Sequence, residues 1–273
     1  MTYESLREGG LDYLPCRYGA SRLAFRGPRR TIEGRYIAFL GGTETYGKFV
    51  ERPFPSLVEE ATGLTCVNLG LVNAGADVYL QDETVQDIAA GAALTVVQVT
   101  GAQNISNRYY AVHPRRNDRF LKAAGPLRAL YPEVDFTEFH FNRHMLRTLE
   151  DVSRRRFERV AEELKSAWLA RMSALLNCLS GPKLLLWFAP LCPPGPEDRE
   201  RADPLFVEAW MLEHLRPAVA AIVEVVVSTE ARVAGTQGMV FASFDAPAAA
   251  LLPGPHAHRE AAGILAPLIA RFA

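Results

Sequence analysis

The chain has 273 residues, 49% of them hydrophobic, and 30 Lys and Arg against 31 Asp and Glu give a formal charge of −1. That is apolar mass enough for a sizeable core in one large or two small domains. A charge so near zero gives no global attraction to nucleic acid or to an anionic membrane surface, so neither partner is expected. No apolar run approaches the roughly 18 residues of a membrane span; the longest, 184–191, has the length of a strand. Residues 1–10 are polar and carry no apolar leader core, so no secretory segment is expected there. Cys16, Cys66, Cys178 and Cys192 are scattered, with no CxxC pair, which reads as free thiols in a reducing cytoplasm. Nothing in the sequence sets an oligomeric state.

Residues 1–35 form an arm with little periodicity, rich in arginine: Arg17, Arg22, Arg26, Arg29, Arg30 and Arg35. Clustered guanidinium groups can hold an anion, or they can pair with carboxylates of a domain on which the arm wraps. Ile37 to Leu40 then reads as a strand and Pro53 to Thr62 as a helix, with Phe54, Leu57, Val58 and Ala61 at helical spacing. Leu64 to Leu71 reads as a second strand, Val78 to Ala90 as a helix, and Ala93 to Thr100 as a third strand. Alternating strands and helices, with nearly continuous apolar strands, predict a parallel sheet covered on both faces. From about 117 to 178 helical periodicity and charge dominate, which predicts a helical insertion, with one or two helices between Leu149 and Leu176. Strand patterns resume at Lys183 to Ala189 and Ile222 to Val227. A proline-rich loop (190–204) and a helix (206–221) lie between them, and a terminal helix is expected from Ala261 to Phe272. The predicted fold is a single three-layer α/β/α sandwich with a mainly parallel sheet.

The residues Arg35-Tyr36-Ile37-Ala38-Phe39-Leu40-Gly41-Gly42-Thr43-Glu44-Thr45-Tyr46-Gly47-Lys48 run a buried-strand pattern into a glycine-rich turn carrying hydroxyls. In an open α/β sheet such strand ends face one crevice, so 41–47, 70–77 and 101–107 should line a common site. Two chemistries can use the turn: attack by the Thr43 hydroxyl, or a phosphate cradle of backbone amides from Gly42 to Lys48. The second matches G-x-x-x-x-G-K, but Phe49 stands where a Mg²⁺-binding hydroxyl is needed. A sulfonate-transfer loop needs no Mg²⁺ and keeps that option open. His140 and His144 have the i, i+4 spacing of a zinc helix, but Phe141 replaces the glutamate that would act as base. No metal or other cofactor is expected. Asn107 lies close enough to the third strand end to line the crevice, and either His256 or His258 in 252–258 can serve as a base if that loop reaches the crevice.

The order of these blocks resembles the SGNH (GDSL-type) hydrolase superfamily, in the flavodoxin-like group of folds. The first block, Gly-Asp-Ser-x-Thr-x-Gly in the family, is matched by Gly41-Gly42-Thr43-Glu44-Thr45-Tyr46-Gly47. The second is matched by Asn68-Leu69-Gly70 with Asn73 and Gly75, and the third, Gly-x-Asn-Asp, by Gly101-Ala102-Gln103-Asn104. The fourth, Asp-x-x-His, is matched by Pro255 to His258, with Gly263 five residues on. The whole chain, arm included, is also similar to an uncharacterised bacterial domain family. The resemblance implies Thr43 as nucleophile and His258 as base. Gly42, Asn73, Gly75, Gln103 and Asn104 would stabilise an oxyanion, and the substrate would be an ester or acyl group, of a saccharide for example. The departures are a threonine for the serine, whose β-branch restricts its rotamers, and Pro255 for the aspartate that orients the histidine. Loss of that carboxylate costs about 10⁴ in rate in a serine triad. The alternatives are a binding protein for a small molecule or saccharide on a degenerate hydrolase fold, and phosphate or sulfonate transfer at Gly42 to Lys48.

Overall fold

The computed structural model describes residues 10–195, 198 and 203–272. The expectations on residues 1–9 of the arm and on 196–197 and 199–202 of the proline-rich loop fall outside the described residues. In chain order the elements are β1 (Tyr36–Leu40), α1 (Thr43–Tyr46), α2 (Phe54–Thr62), β2 (Thr65–Asn68), α3 (Ala76–Leu80), α4 (Glu83–Gly91) and β3 (Leu94–Gln98). There follow β4 (Tyr110–His113), β5 (Arg116–Ala123), α5 (Gly125–Leu130), α6 (Asn142–Val152), α7 (Arg154–Cys178) and β6 (Lys183–Ala189). The chain continues through α8 (Ala209–Leu215), β7 (Ala221–Val226), α9 (Thr229–Ala234), α10 (Ala246–Ala249) and α11 (Pro255–Phe272).

Five strands pair in parallel in the order β2-β1-β3-β6-β7. Numbered within the sheet this is 2-1-3-4-5, the doubly wound order whose direction reverses between β1 and β3. The period of two along each strand sorts its side chains into two cores. Ile37, Phe39, Val96, Leu186 and Val225 pack beneath α2, α9 and α11 with Phe54, Val58, Ala261 and Leu265. Ala38, Leu40, Val97, Leu185 and Trp187 face the other way, under Tyr79, Ile88, Trp168 and Leu212 of α3, α4, α7 and α8. With both faces buried, β1 and β3 are apolar almost throughout, which is why their sequences show no alternation. The structure is therefore the predicted three-layer sandwich.

Several segments differ from the sequence expectation. The helix expected over 78–90 is two, because the Asp82 side chain accepts the Val85 N–H and starts α4 afresh. The segment 117–178 is not helical throughout: it opens with β5, paired antiparallel to β4. The charged sequence of β5 hides a strand that buries only Asn117, Phe120 and Ala123. Ser153 separates α6 from α7 by accepting the Arg156 N–H, and α7 buries Phe157, Leu164, Trp168 and Met172 in the main core. It is thus one of the helices covering the sheet. The helix expected over 206–221 shrinks to α8, closed by a 3₁₀ turn at Arg216–Ala218 that contains Pro217. The terminal helix starts at Pro255 rather than Ala261, since proline is well suited to a first helical turn. His256 and His258 consequently lie on a helix, not in a loop.

The described part of the arm wraps on the domain. Cys16 and Phe25 pair as an antiparallel bridge, and Tyr18, Leu23 and Phe25 are buried. Arg26, 7% exposed, donates to the carbonyls of Tyr46, Gly47 and Glu51, and Arg30 pairs with Glu59 at 2.7 Å. Both cations are engaged within the chain. No helix among the described residues is long and apolar enough to cross a membrane.

Candidate functional site

The carboxyl ends of β1 and β3 flank the point where the strand order reverses, the position where ligands bind in open α/β sheets. Beyond Leu40, a Cβ on Gly41 would stand 2.2 Å from Thr45 Oγ1 and 2.5 Å from Gln98 Oε1. Only glycine lets the chain pass there. The turn then closes as the single helical turn α1, ended by Gly47 at φ 72°. Gln98, the last residue of β3, binds this turn together. Its Oε1 accepts from Gly42 N–H (3.0 Å), Thr45 N–H (3.2 Å) and Thr45 Oγ1 (2.5 Å), while its Nε2 donates to Glu44 Oε2 (2.8 Å). Burial raises the Glu44 carboxyl above the usual carboxylate range, opposed by the Gln98 hydrogen bond. Sequence reasoning passed over Gln98, and the available signal was a lone amide within the apolar run ALTVVQVT.

Thr43, 8% exposed, heads α1. Its hydroxyl donates to Asn73 Oδ1 at 3.2 Å and accepts from the Asn73 N–H at 2.9 Å. Asn73 adopts φ 57°, a left-handed conformation that asparagine tolerates better than most residues. From Asn73 an amide network extends to Asn104, Asn117 and Asn142. Asn73 Nδ2 donates to Asp118 Oδ2 (3.2 Å), and Asn104 Nδ2 donates to the Asn73 carbonyl (3.0 Å). Asn142 Nδ2 donates both to Asn104 Oδ1 (3.3 Å) and to the Asn117 carbonyl (2.6 Å), and the Gly75 N–H donates to Asn117 Oδ1 (2.8 Å). Asn73, Gly75 and Asn104 are thus gathered with Thr43, but the Gly42 and Gly75 amides proposed as oxyanion donors are committed to Gln98 and Asn117. Asn117, Asp118 and Asn142 were missed because a polar residue in a charged segment looks like surface.

Gly75 fits only without a side chain, since a Cβ there would lie 2.1 Å from the Asn104 carbonyl oxygen. Gly75→Ala is expected to lower stability by about 1–3 kcal/mol in urea unfolding, because Asn104 must move and take the Asn73 link with it. A change below about 0.5 kcal/mol would contradict this packing.

The structure does not join His258 to Thr43. His258 is 1% exposed and belongs to the core on the α2 and α11 side. Its ring stacks on Phe54 (5.8 Å, 20°) and meets Phe188 edge-on (5.5 Å, 79°). Its Nδ1 accepts the Phe54 N–H at 3.1 Å. That N–H belongs to the first turn of α2, where Pro53 supplies no side-chain cap. Burial, with a contribution from the Arg26 guanidinium and against a hydrogen bond to the Pro253 carbonyl, lowers its pKa to about 3. The sequence placed this histidine in a loop; on the first turn of α11 it turns into the core. His256 is exposed on the same helix. Two residues on from His258, the Glu260 carboxylate accepts from the Ser228 N–H and hydroxyl.

The remaining candidates have other tasks. Lys48 Nζ sits over the Phe49 ring at 4.7 Å. The Gly42 and Thr45 amides donate to Gln98, which also holds the Glu44 carboxyl, so these two amides of the Gly42 to Lys48 loop are not available to an anion. Asn107 Oδ1 accepts from the Tyr109 and Tyr110 amides, which builds the turn into β4. Gln103 is buried and folds back on Gly101, where a Cβ would stand 2.2 Å from its Oε1. His140 and His144 are exposed, and the His144 ring contacts Phe139. Among the described residues no cluster of His, Cys, Asp and Glu could hold a metal.

Fold and site together define a doubly wound α/β protein with a cluster of hydroxyl and amide groups where the strand order reverses. The chain belongs to the family described as Domain of unknown function (DUF6473), whose model matches residues 1–273. None of the curated proteins matches it. Among solved structures it is similar to a protein from Lactobacillus plantarum (14% identity, TM-score 0.39, covering 86% of this chain and 96% of that one). It is also similar to the lipase Lip_vut3 from a goat rumen metagenome (12% identity, TM-score 0.42, covering 84% and 97%). A third is a gut microbial diltiazem-metabolizing enzyme (13% identity, TM-score 0.36, covering 89% of this chain and 48% of that one).

Proposed function

We propose that the crevice at Thr43, Asn73 and Asn104 binds a small neutral polar ligand, of the saccharide type, on a scaffold that resembles the SGNH hydrolases in the order of its blocks. The observation that carries this reading is the seating of the Thr43 hydroxyl between Asn73 Oδ1 and the Asn73 N–H. An amide oxygen accepts a hydrogen bond, but at neutral pH it takes no proton, so it cannot activate a hydroxyl as a general base would. The histidine that the resemblance offers as base has its lone pair on Phe54 and is held neutral by burial. Hydroxyls and carboxamides supply donors and acceptors together, which suits a ligand bearing both.

The test is a thermal-shift panel of mono- and disaccharides, run beside a panel of acyl esters. A saccharide is expected to raise the Tm saturably, Thr43→Ala should weaken it at least tenfold, and no ester should be turned over. Turnover of an ester that is abolished by both Thr43→Ala and His258→Gln would restore the hydrolase reading in place of this one.

A further inference from the structure

Two buried carboxamide oxygens, one in this network and one on the residue preceding Asn104 in the chain, accept no hydrogen bond. Gln103 Oε1 and Asn142 Oδ1 are sealed from solvent and have no hydrogen-bond partner, in residues that are 4% and 0% exposed. For Asn142 the orientation is fixed: its amide nitrogen already donates to Asn104 Oδ1 and to the Asn117 carbonyl, so a flip would set oxygen against oxygen. Buried polar atoms of this kind are uncommon and costly unless something donates to them. Asn142 is tied to Asn104, Gln103 precedes Asn104 in one 3₁₀ turn (Ala102–Asn104), and Asn104 holds the Asn73 that positions Thr43. Asn142 is therefore two hydrogen bonds from Asn73, and Gln103 is the chain neighbour of the Asn104 that joins them.

We propose that these two carboxamide oxygens form a subsite for hydroxyl donors of the ligand, which makes that ligand a polyhydroxylated one. This rests on the binding reading above. An ester carbonyl, a phosphate or a sulfonate offers oxygen acceptors and cannot satisfy a carboxamide oxygen, whereas a sugar hydroxyl can donate to it and still accept from a neighbouring amide. The link that must open to admit the hydroxyl is Asn142 Nδ2 to Asn104 Oδ1. At 3.3 Å it is the longer of the two bonds from that nitrogen, and Asn142 would stay anchored through the Asn117 carbonyl. The ordinary alternative is a buried water donating to both oxygens.

The experiment titrates the full chain with the methyl glycosides of glucose, galactose, mannose and N-acetylglucosamine, and with the permethylated form of each, which has the same ring but no hydroxyl donors. At least one unmodified glycoside is expected to bind at least tenfold more tightly than its permethylated form. Gln103→Met, which keeps the length and removes the oxygen, is expected to bind it at least tenfold more weakly, with its Tm reporting that it folds. Equal binding of a glycoside and its permethylated form overturns the subsite. So does a glycoside that Thr43→Ala weakens and Gln103→Met leaves unchanged, the result expected if buried water serves these oxygens, and the crevice reading then stands. Binding of no glycoside overturns both.

Discussion

Gln98→Leu is expected to destabilise the protein by about 3 kcal/mol or more in urea unfolding, and to disorder the turn that presents Thr43. The substitution conserves approximate volume and apolar burial but deletes one acceptor serving three donors: the Gly42 and Thr45 amides and the Thr45 hydroxyl. It also removes the donor to Glu44 Oε2. Each buried group left unsatisfied costs about 1–3 kcal/mol, and Gly41 leaves no slack in the turn to find new partners. Gln98→Glu is the informative partner. It keeps an acceptor but sets a second carboxyl against the Glu44 carboxyl, so its deficit should grow as pH rises and the two ionise. Gln98→Leu within about 0.5 kcal/mol of the parent protein would show that this hub does not organise the turn.

The second large effect is a pH dependence carried by His258. Its native pKa is lowered to about 3, against about 6.5 in the unfolded chain. Between those values the unfolded state binds more protons than the native state, so stability rises with pH there. The contribution is fully present above about pH 6.5 and is lost as pH falls toward 3. The slope approaches about 1.4 kcal/mol per pH unit, for a total on the order of 5 kcal/mol. Glu44 and Asp77, whose carboxyls burial pushes up, act in the opposite sense: their contribution is present at low pH and is lost as pH rises. The measurement is therefore the difference between the parent protein and His258→Gln, whose amide oxygen can still accept the Phe54 N–H. The parent is expected to show the steeper fall between pH 6.5 and 3. Equal slopes would mean that His258 is not held neutral in the core.

The sheet was legible because strands buried on both faces leave nearly continuous apolar runs, as at Ile37–Leu40 and Leu184–Phe188. The turn at Gly41 to Gly47 was legible because two glycines in a strand-to-helix connection signal a tight passage, which the clash of a Cβ on Gly41 with Thr45 and Gln98 explains. β5 was hidden because its exposed face is charged and only three of its eight residues are buried. Gln98, Asn117 and Asn142 were hidden for another reason. A carboxamide has the composition of a surface residue, and its role depends on partners 25 to 56 positions away in the chain. His258 stood out in the sequence, but its task did not. Only the packing of α11 against α2 puts Phe54 on its ring and the Phe54 amide on its Nδ1.

The central claim is that the Thr43 hydroxyl is a ligand contact held by Asn73, not an activated nucleophile. The measurement that tests it most directly is the intact mass of the full chain after incubation with a fluorophosphonate, which phosphonylates activated hydroxyls. The mass is expected to stay unchanged. A single adduct mapped to Thr43, formed by the parent protein and absent from His258→Gln, would contradict the account.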